Sequence, residues 1–123
     1  MVNLLFVCSA NKERSPTAEQ VFKDVPGWIV RSAGTERDAM KKITSDLLEW
    51  ADEIIVMERY HKERILEINN KIQSKIHVLN IEDRYYRCSP ELVGILIMKM
   101  SQIFSLDNWV KRKFDCVRRL FLY

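Results

Sequence analysis

A cysteine and an arginine stand close together near the start of the chain, in the segment V-C-S-A-N-K-E-R-S-P. Cys8 ends an apolar run, and Arg14 follows with five residues between them. A thiolate is a strong nucleophile at neutral pH, and a guanidinium can donate to two oxygens of one phosphate group. A nucleophile and a bidentate clamp at this spacing indicate chemistry on a phosphate-like oxyanion.

The segment around Cys8 is predicted to pass from a strand through a loop into a helix. Val2–Cys8 is a continuous apolar run, typical of a strand buried on both faces. Ser15 is predicted as the N-cap of the helix, with Pro16 as its first residue. Such a junction directs backbone N–H groups and a helix dipole at one point, which favours a bound anion and the thiolate form of Cys8. The predicted phosphate-binding residues are Ser9, Ala10, Asn11, Lys12, Glu13, Arg14 and Ser15.

Short apolar runs alternate with helical patterns along the rest of the chain. The predicted strands are Val2–Cys8, Trp28–Ser32, Glu53–Met57 and Lys75–Leu79. The predicted helices are Ser15–Lys23, a short one from Thr44 or Ser45 through Trp50, Glu58–Asn69, and a long one that begins after Ser89 and reaches at least Leu106. This alternation predicts an α/β fold, a four-stranded parallel sheet with helices on both faces. Ligands bind beyond the carboxyl ends of such strands, where Cys8 lies.

The stretch V-C-S-A-N-K-E-R-S-P-T-A-E resembles the phosphate loop of the low molecular weight protein tyrosine phosphatases, V-C-x-G-N-x-x-R-S-P-x-A-E. The resemblance continues through W-I-V-R-S-A-G-T and I-I-V-M, which are similar to the second and third strands of that family. D-R-Y-Y, beginning at Asp83, resembles the family's D-P-Y-Y. The whole resemblance covers roughly residues 2–106. Segments that the family has between its second strand and second helix are missing from this chain.

The resemblance implies a flavodoxin-like fold and a metal-independent phosphatase without a cofactor. Cys8 would be the nucleophile that forms a phosphocysteine, Arg14 the phosphate clamp and Asp83 the general acid. Asn11, Ser15 and Ser32 would support the loop by hydrogen bonds, and Ser15 would also donate to the Cys8 sulfur. Tyr85 and Tyr86 would form the walls of a slot for the aromatic ring of the substrate, either a phosphotyrosine in a protein or a small aryl phosphate.

Several residues depart from the family pattern. Ala10 replaces a loop glycine, and Arg84 replaces the proline after the general acid, which predicts a less rigid loop. Glu13 stands where many members carry a second cysteine that can protect the nucleophile. Lys12 replaces an apolar or small residue of the pocket wall and favours substrates flanked by acidic groups. The shortened wall leaves phosphoarginine and small aryl phosphates open as substrates beside phosphotyrosine.

Other interpretations of the same residues stay open. A cysteine at a strand end is often a small buried hydrophobe, and Asp83 could merely cap a loop, with Glu82 as the substitute acid. The loop also occurs in arsenate reductases, which relay electrons through further cysteines, and Cys88 lies five residues after Asp83. A phosphate- or phosphopeptide-binding module without turnover is the other alternative. His61 and His77 are interpreted as surface and strand residues without a special role.

Composition indicates one globular domain over residues 1–123, of which 47% are hydrophobic and 30% charged. Residues 108–123 carry five bases and one acid, whereas the other 107 residues carry 15 bases and 16 acids. The apolar spacing of residues 108–123 predicts a basic amphipathic helix that packs on the domain or contacts a partner or an anionic surface. The near-neutral remainder argues against nucleic-acid binding. No apolar run is long enough to span a membrane, and three cysteines favour a reducing, cytoplasmic location.

Overall fold

Strands and helices alternate in the computed structural model, which describes residues 1–113. The strands are β1 (Val2–Cys8), β2 (Trp28–Gly34), β3 (Glu53–Val56) and β4 (Ile76–Val78). The helices are α1 (Arg14–Phe22), α2 (Ser45–Trp50), α3 (Arg59–Ile68) and α4 (Pro90–Ser101), followed by a helical stretch over residues 107–113.

The four strands form one parallel sheet in the order β2-β1-β3-β4. This confirms the predicted fold class. The order places β1 between β2 and β3, so that Cys8 pairs with Gly34 of β2. The loops that follow β1, β2 and β3 therefore leave the same edge of the sheet, and the segments after Cys8 and after Gly34 lie side by side.

Two apolar layers enclose the sheet because the side chains of β1 alternate between its faces. Leu4 and Phe6 belong to a core that also contains α1 and α4, whereas Leu5 and Val7 belong to a core with α2 and α3. All four side chains are fully buried. Continuous apolar character is thus what a strand covered by helices on both faces requires.

The start of α1 differs from the prediction. The helix begins at Arg14, with Glu13 at the N-cap position, so Ser15 is not the N-cap and Pro16 is the third helical residue. Proline is tolerated there because the first turn has no intrahelical partner for its N–H groups. The Ser15 hydroxyl is engaged instead with Cys8 and Asn11, which leaves it unavailable as a cap.

The last predicted helix is shorter than expected. Ser89 caps α4 and Pro90 begins it as predicted, but the helix ends at Ser101 rather than reaching Leu106. The chain turns after Met100, whose carbonyl accepts from the N–H groups of residues 103 and 104. The turn brings the Phe104 ring to 5.3 Å from that of Trp28, measured between ring centroids. Burial of apolar side chains has therefore interrupted the helical pattern.

The predicted amphipathic helix of residues 108–123 falls partly outside the described residues, since 114–123 lie beyond them. Its first part is helical, and Trp109 is buried against the core that contains α1. Lys113 donates to Asp24 at 3.0 Å and to the carbonyl of Val21 at 2.8 Å. The described part of this segment thus packs on the domain. Across residues 1–113, no helix is both long and apolar enough to cross a membrane.

Candidate active site

The loop between β1 and α1 turns its carbonyl groups toward the segment that follows β2. The carbonyls of Cys8, Ser9 and Ala10 accept hydrogen bonds from the backbone N–H groups of residues 35, 36 and 40, at 2.9, 2.9 and 3.1 Å. The N–H groups of residues 9–13 donate to no protein acceptor in the part of the chain that the structure describes. Five successive backbone N–H groups without a protein acceptor have the arrangement of a candidate anion-binding nest.

Gly34 allows this arrangement by its close approach to the loop. A Cβ atom at this position would lie 2.5 Å from the carbonyl oxygen of Ser9 and 2.7 Å from the Cβ of Ala39. Both distances are shorter than van der Waals contact. Gly34 was not predicted as a site residue, although a glycine two positions after the predicted strand Trp28–Ser32 is a signal for close backbone approach.

Hydrogen bonds hold Asn11 and Ser15 beneath the loop. The Asn11 amide donates to the hydroxyls of Ser15 and Ser32, at 2.9 and 3.0 Å, which are the two partners predicted for it. Asn11 has φ = 56°, a left-handed conformation that asparagine tolerates better than most residues. Ser32 in turn donates to Glu19 at 2.5 Å. The loop conformation is therefore specified by buried side chains.

Ser15 also contacts the thiol. Its Oγ lies 2.9 Å from the Sγ of Cys8 and 3.3 Å from the carbonyl oxygen of Ala33. Ser15 accepts a hydrogen bond from Asn11, and its single hydroxyl proton has two acceptors within reach, the Cys8 sulfur at 2.9 Å and the Ala33 carbonyl at 3.3 Å. Cys8 is buried, with 3% of its surface exposed, and the hydroxyl is positioned to stabilise a thiolate there.

Arg14 is anchored on one side and free on the other. Its Nη1 donates to Oε2 of Glu58 at 2.6 Å and to the carbonyl of Ile81 at 2.8 Å, and 1% of the side chain is exposed. Its Nε and Nη2 have no hydrogen-bond partner within residues 1–113, and Nε lies 3.8 Å from Oδ1 of Asp83. Burial is the largest single influence and would lower the pKa of Arg14, but Glu58, Tyr60 and Asp83 together outweigh it and raise the pKa above its usual value. The Nε–Nη2 edge of the charged guanidinium thus makes no hydrogen bond within residues 1–113 and has the Asp83 carboxylate 3.8 Å from Nε.

His61, interpreted from the sequence as a surface residue, is fully buried below the loop. Its Nδ1 accepts from the backbone N–H of Glu58 at 3.0 Å, and its Nε2 lies 2.9 Å from the hydroxyl of Ser9. Tyr60 completes a ring, since its hydroxyl lies 2.8 Å from Ser9 Oγ and donates to Glu58 Oε2 at 2.8 Å. The sequence did not predict this role, because the position of His61 near a helix start does not show which face of that helix packs against the rest of the protein.

Burial and neighbouring charges determine the protonation states of His61 and Glu58 in this hydrogen-bonded ring. Burial, followed by the positive charge of Arg14, lowers the pKa of His61 to about 4, so the imidazole is neutral near pH 7. Because Nδ1 accepts, Nε2 carries the proton and donates to Ser9. Burial raises the pKa of Glu58, but hydrogen bonds from Arg14 and Tyr60 outweigh burial and lower it below its usual value. Glu58 is thus a carboxylate, and it compensates the charge of Arg14.

A cavity of about 180 Å³ opens above the thiol. Its lining residues, drawn from the loop, the first turn of α1 and the segment after β4, are Cys8, Ala10, Lys12, Glu13, Arg14 and Asp83. Asp83 is well exposed, at 61% of its side-chain surface, and therefore lies at the mouth of the cavity. Tyr85 and Tyr86, predicted as walls of a substrate slot, are not among the lining residues. Tyr85 packs against the core that contains α1, and Tyr86 is 84% exposed.

Metal ligands were not predicted, and the described residues hold no group of three or more histidine, cysteine, aspartate or glutamate side chains that could bind a metal ion. His77 lies 2.6 Å from Glu53 on neighbouring strands, away from the loop. Cys88, the candidate relay cysteine, is exposed and forms no disulfide within residues 1–113, and its backbone N–H donates to Thr17 Oγ1. Cys116 lies outside the described residues.

Sequence comparison alone finds no match, either among family models or among curated proteins. Solved structures do match. The tyrosine phosphatase AmsI of Erwinia amylovora has a TM-score of 0.69 and 25% identity, covering 80% of this chain and 89% of that one. SP-PTP, a low molecular weight protein tyrosine phosphatase of Streptococcus pyogenes, has a TM-score of 0.69 and 21% identity, covering 91% and 93%. The YwlE arginine phosphatase of Geobacillus stearothermophilus has a TM-score of 0.59 and 18% identity, covering 100% of this chain and 99% of that one.

The parallel α/β sheet carries a cysteine, a row of unpaired N–H groups and a buried arginine at its carboxyl edge, which together form a candidate oxyanion site. The structural likenesses specify the class further. The chain has the flavodoxin-like fold of the low molecular weight protein tyrosine phosphatases, which confirms the resemblance seen in the sequence.

Proposed function

We propose that this protein is a cysteine-dependent phosphatase that hydrolyses aryl phosphate monoesters, including phosphotyrosine in polypeptides. The observation that carries the proposal is the convergence of free donors on one thiol. Within residues 1–113, five backbone N–H groups of the loop have no protein acceptor, and the Nε–Nη2 edge of Arg14 makes no hydrogen bond, with only the Asp83 carboxylate 3.8 Å from Nε, at the cavity that Cys8 lines. These donors match the non-bridging oxygens of a phosphoryl group, whose transfer depends mainly on positioning and charge stabilisation.

In the first step, the Cys8 thiolate attacks phosphorus in line with the ester oxygen. The S–P bond forms as the P–O bond to the aryl group breaks, and Asp83 in its acid form gives its proton to the departing phenolate. Arg14 and the loop N–H groups stabilise the charge on the three remaining oxygens. The position of Asp83 at the mouth of the cavity supports this role, since the leaving group must point outward from the thiol.

In the second step, water attacks the phosphocysteine. Asp83, now a carboxylate, accepts a proton from the water as the new P–O bond forms and the S–P bond breaks. Cys8 leaves as a thiolate, to which the Ser15 hydroxyl can donate across 2.9 Å. Inorganic phosphate is released, and the cycle consumes one water without an added oxidant or reductant.

The test is hydrolysis of p-nitrophenyl phosphate, without added metal, by the wild type and three variants. Cys8→Ser should abolish turnover, and Arg14→Lys should lower it roughly 100-fold because an ammonium cannot bind two oxygens in a fork. Asp83→Asn should lower it by about 100-fold through loss of the acid. Acid quenching of the wild type during turnover should trap phosphate on Cys8. Full activity of Cys8→Ser would overturn the proposal.

The same assays address the alternatives. A phosphoarginine peptide, assayed beside a phosphotyrosine peptide, tests the activity named for one structural neighbour. A wild type that binds phosphate but hydrolyses neither would be a binding module instead. Arsenate-dependent oxidation of a thiol cosubstrate that is lost in Cys88→Ser would favour the reductase.

A further inference from the structure

A second, larger cavity lies beside the first. It is an open groove of about 500 Å³, and Lys12 lines both cavities. The groove runs from the phosphate loop along α1 toward the segment after β2, and the loop after Asp83 contributes its remaining wall. Lys12 therefore lies between the two cavities.

The groove is a built feature of the fold, because hydrogen bonds tie its walls to the phosphate loop. On one side, the backbone N–H of Arg87 donates to Glu13 at 2.7 Å. On the other, the N–H of Met40 donates to Ala10 at 3.1 Å, and the carbonyl of Lys41 accepts from the residue that ends β2 at 2.7 Å. The floor contains Asn11 and Ser32, which are themselves buried and hydrogen-bonded.

The groove is strongly basic compared with the rest of the molecule. Its charged lining residues are the bases Lys12, Lys23, Lys41 and Arg87 and the single acid Glu19. None of the four bases forms an ion pair with a residue of the described range 1–113. Residues 1–107, by contrast, hold one more acid than base. An excess of three positive charges along one groove is thus a local concentration.

We propose that the groove binds acidic side chains of a polypeptide substrate, next to the phosphorylated residue held above Cys8. This inference rests on the proposed phosphatase function and names its substrate class, a phosphopolypeptide with aspartate or glutamate flanking the phosphorylated residue. Charge complementarity selects this occupant, since carboxylates would pair with bases that have no ion-pair partner among residues 1–113. A small aryl phosphate fills only the cavity of Cys8 and leaves the groove unused.

The experiment compares two phosphotyrosine peptides that differ only in their flanks, with aspartate and glutamate in one and asparagine and glutamine in the other. The wild type should favour the acidic peptide roughly 10-fold in kcat/KM at low salt, chiefly through KM. The preference should shrink in 0.5 M salt, in which a Debye length of about 4 Å screens exposed charges. The double variant Lys23→Glu/Lys41→Glu should lose or invert it.

A matched control changes the net charge equally but elsewhere. Lys62→Glu/Lys71→Glu lies on and after α3, outside the groove, and should keep the wild-type preference. Equal kcat/KM for the two peptides, or a preference that survives in Lys23→Glu/Lys41→Glu, would overturn the groove assignment while leaving the phosphatase function intact. If neither peptide is hydrolysed, the phosphatase proposal fails. Equal binding of fluorescent versions of the two peptides would then overturn the groove assignment as well.

Discussion

The carboxylate of Glu13 accepts a hydrogen bond from the backbone N–H of Arg87 at 2.7 Å, across 74 positions of sequence. A second contact lies beside it, since Thr17 Oγ1 accepts from the N–H of Cys88 at 2.9 Å and donates to the carbonyl of Glu13 at 2.6 Å. Together they tether the loop that carries Asp83 to the first turns of α1. We therefore infer that Glu13, which stands where many phosphate loops of the resembled family carry a second cysteine, helps to position Asp83, the candidate acid.

Replacing Glu13 should make catalysis depend more steeply on the leaving group. In Glu13→Ala the loop loses one tether, so Asp83 is held less well for proton transfer, which matters most when the leaving phenolate is strongly basic. We expect phenyl phosphate turnover to fall roughly 10-fold more than p-nitrophenyl phosphate turnover. Steady-state kcat values over a series of aryl phosphates measure this slope.

The control is Glu13→Gln, which keeps an oxygen acceptor for the Arg87 N–H and should retain most of the wild-type slope. In an Asp83→Asn background, Glu13→Ala should add nothing to the slope, because the acid is already missing. Parallel losses for all leaving groups would instead mean that Glu13 acts on the loop or thiol alone.

His61 should make the protein less stable in mild acid. Its pKa is about 4 when folded and 6.5 when free, so between these values the unfolded chain binds a proton that the folded protein rejects. The free energy of unfolding should therefore fall by roughly 3 kcal/mol as the pH drops from 7 to 4. Urea unfolding across this range measures the slope.

A variant without the titrating group provides the comparison. His61→Gln should be less stable than the wild type at pH 7, since glutamine cannot serve Ser9 and the Glu58 N–H together, but its stability should change less above pH 4.5. Glu58 and Asp24, whose pKa values are lowered, contribute stability that is lost only at more acid pH. The same slope in both proteins would assign the effect to other groups.

Gly34→Ala should displace the phosphate loop. The added Cβ would meet the Ser9 carbonyl at 2.5 Å, and neither strand β2 nor the loop can yield without losing hydrogen bonds. We expect a loss of about 1–3 kcal/mol in the free energy of unfolding and a clear drop in kcat for aryl phosphates. Gly94→Ala is the matched control, because a Cβ there meets nothing within 4 Å and favours helix α4 by about 1 kcal/mol. Equal stability of the two variants would contradict the role of Gly34.

Two substitutions of Asn11 should separate its backbone conformation from its hydrogen bonds. Asn11→Gly and Asn11→Ala both lose the contacts to Ser15 and Ser32, but only alanine is strained at φ = 56°. Asn11→Ala should therefore unfold about 1 kcal/mol more easily than Asn11→Gly. Denaturant unfolding of both proteins gives this difference directly, and a zero value would show that the loop relaxes to a different conformation.

Much of the fold followed from the sequence because its signals are local and periodic. β1 has the predicted bounds, and Thr44 and Ser89 cap α2 and α4 as expected of hydroxyl side chains at helix starts. The placement of Cys8 beside Arg14 likewise depends on a single strand–loop–helix junction. Patterns within some fifteen residues were sufficient for these features.

The features that the sequence analysis missed depend on contacts between distant segments. Glu58 was predicted only as the first residue of a helix, yet it anchors Arg14 from 44 positions away. The burial of His61 follows from how α3 packs below the loop, which no local pattern reports. Ser15 was assigned to the helix cap because its competing partners, Cys8 and Asn11, could not be weighed without distances. Local propensity yielded to tertiary hydrogen bonding in that case.

The anchoring of Arg14 has a consequence for the order in which the site assembles during synthesis of the chain. Both acceptors of its Nη1 come from later segments, Glu58 after β3 and the Ile81 carbonyl after β4. A growing polypeptide that has only reached α3 already contains the thiol and its loop, but the guanidinium still lacks half of its support. The proposed catalytic site is therefore assembled late in synthesis, once the segment after β4 has folded against Arg14.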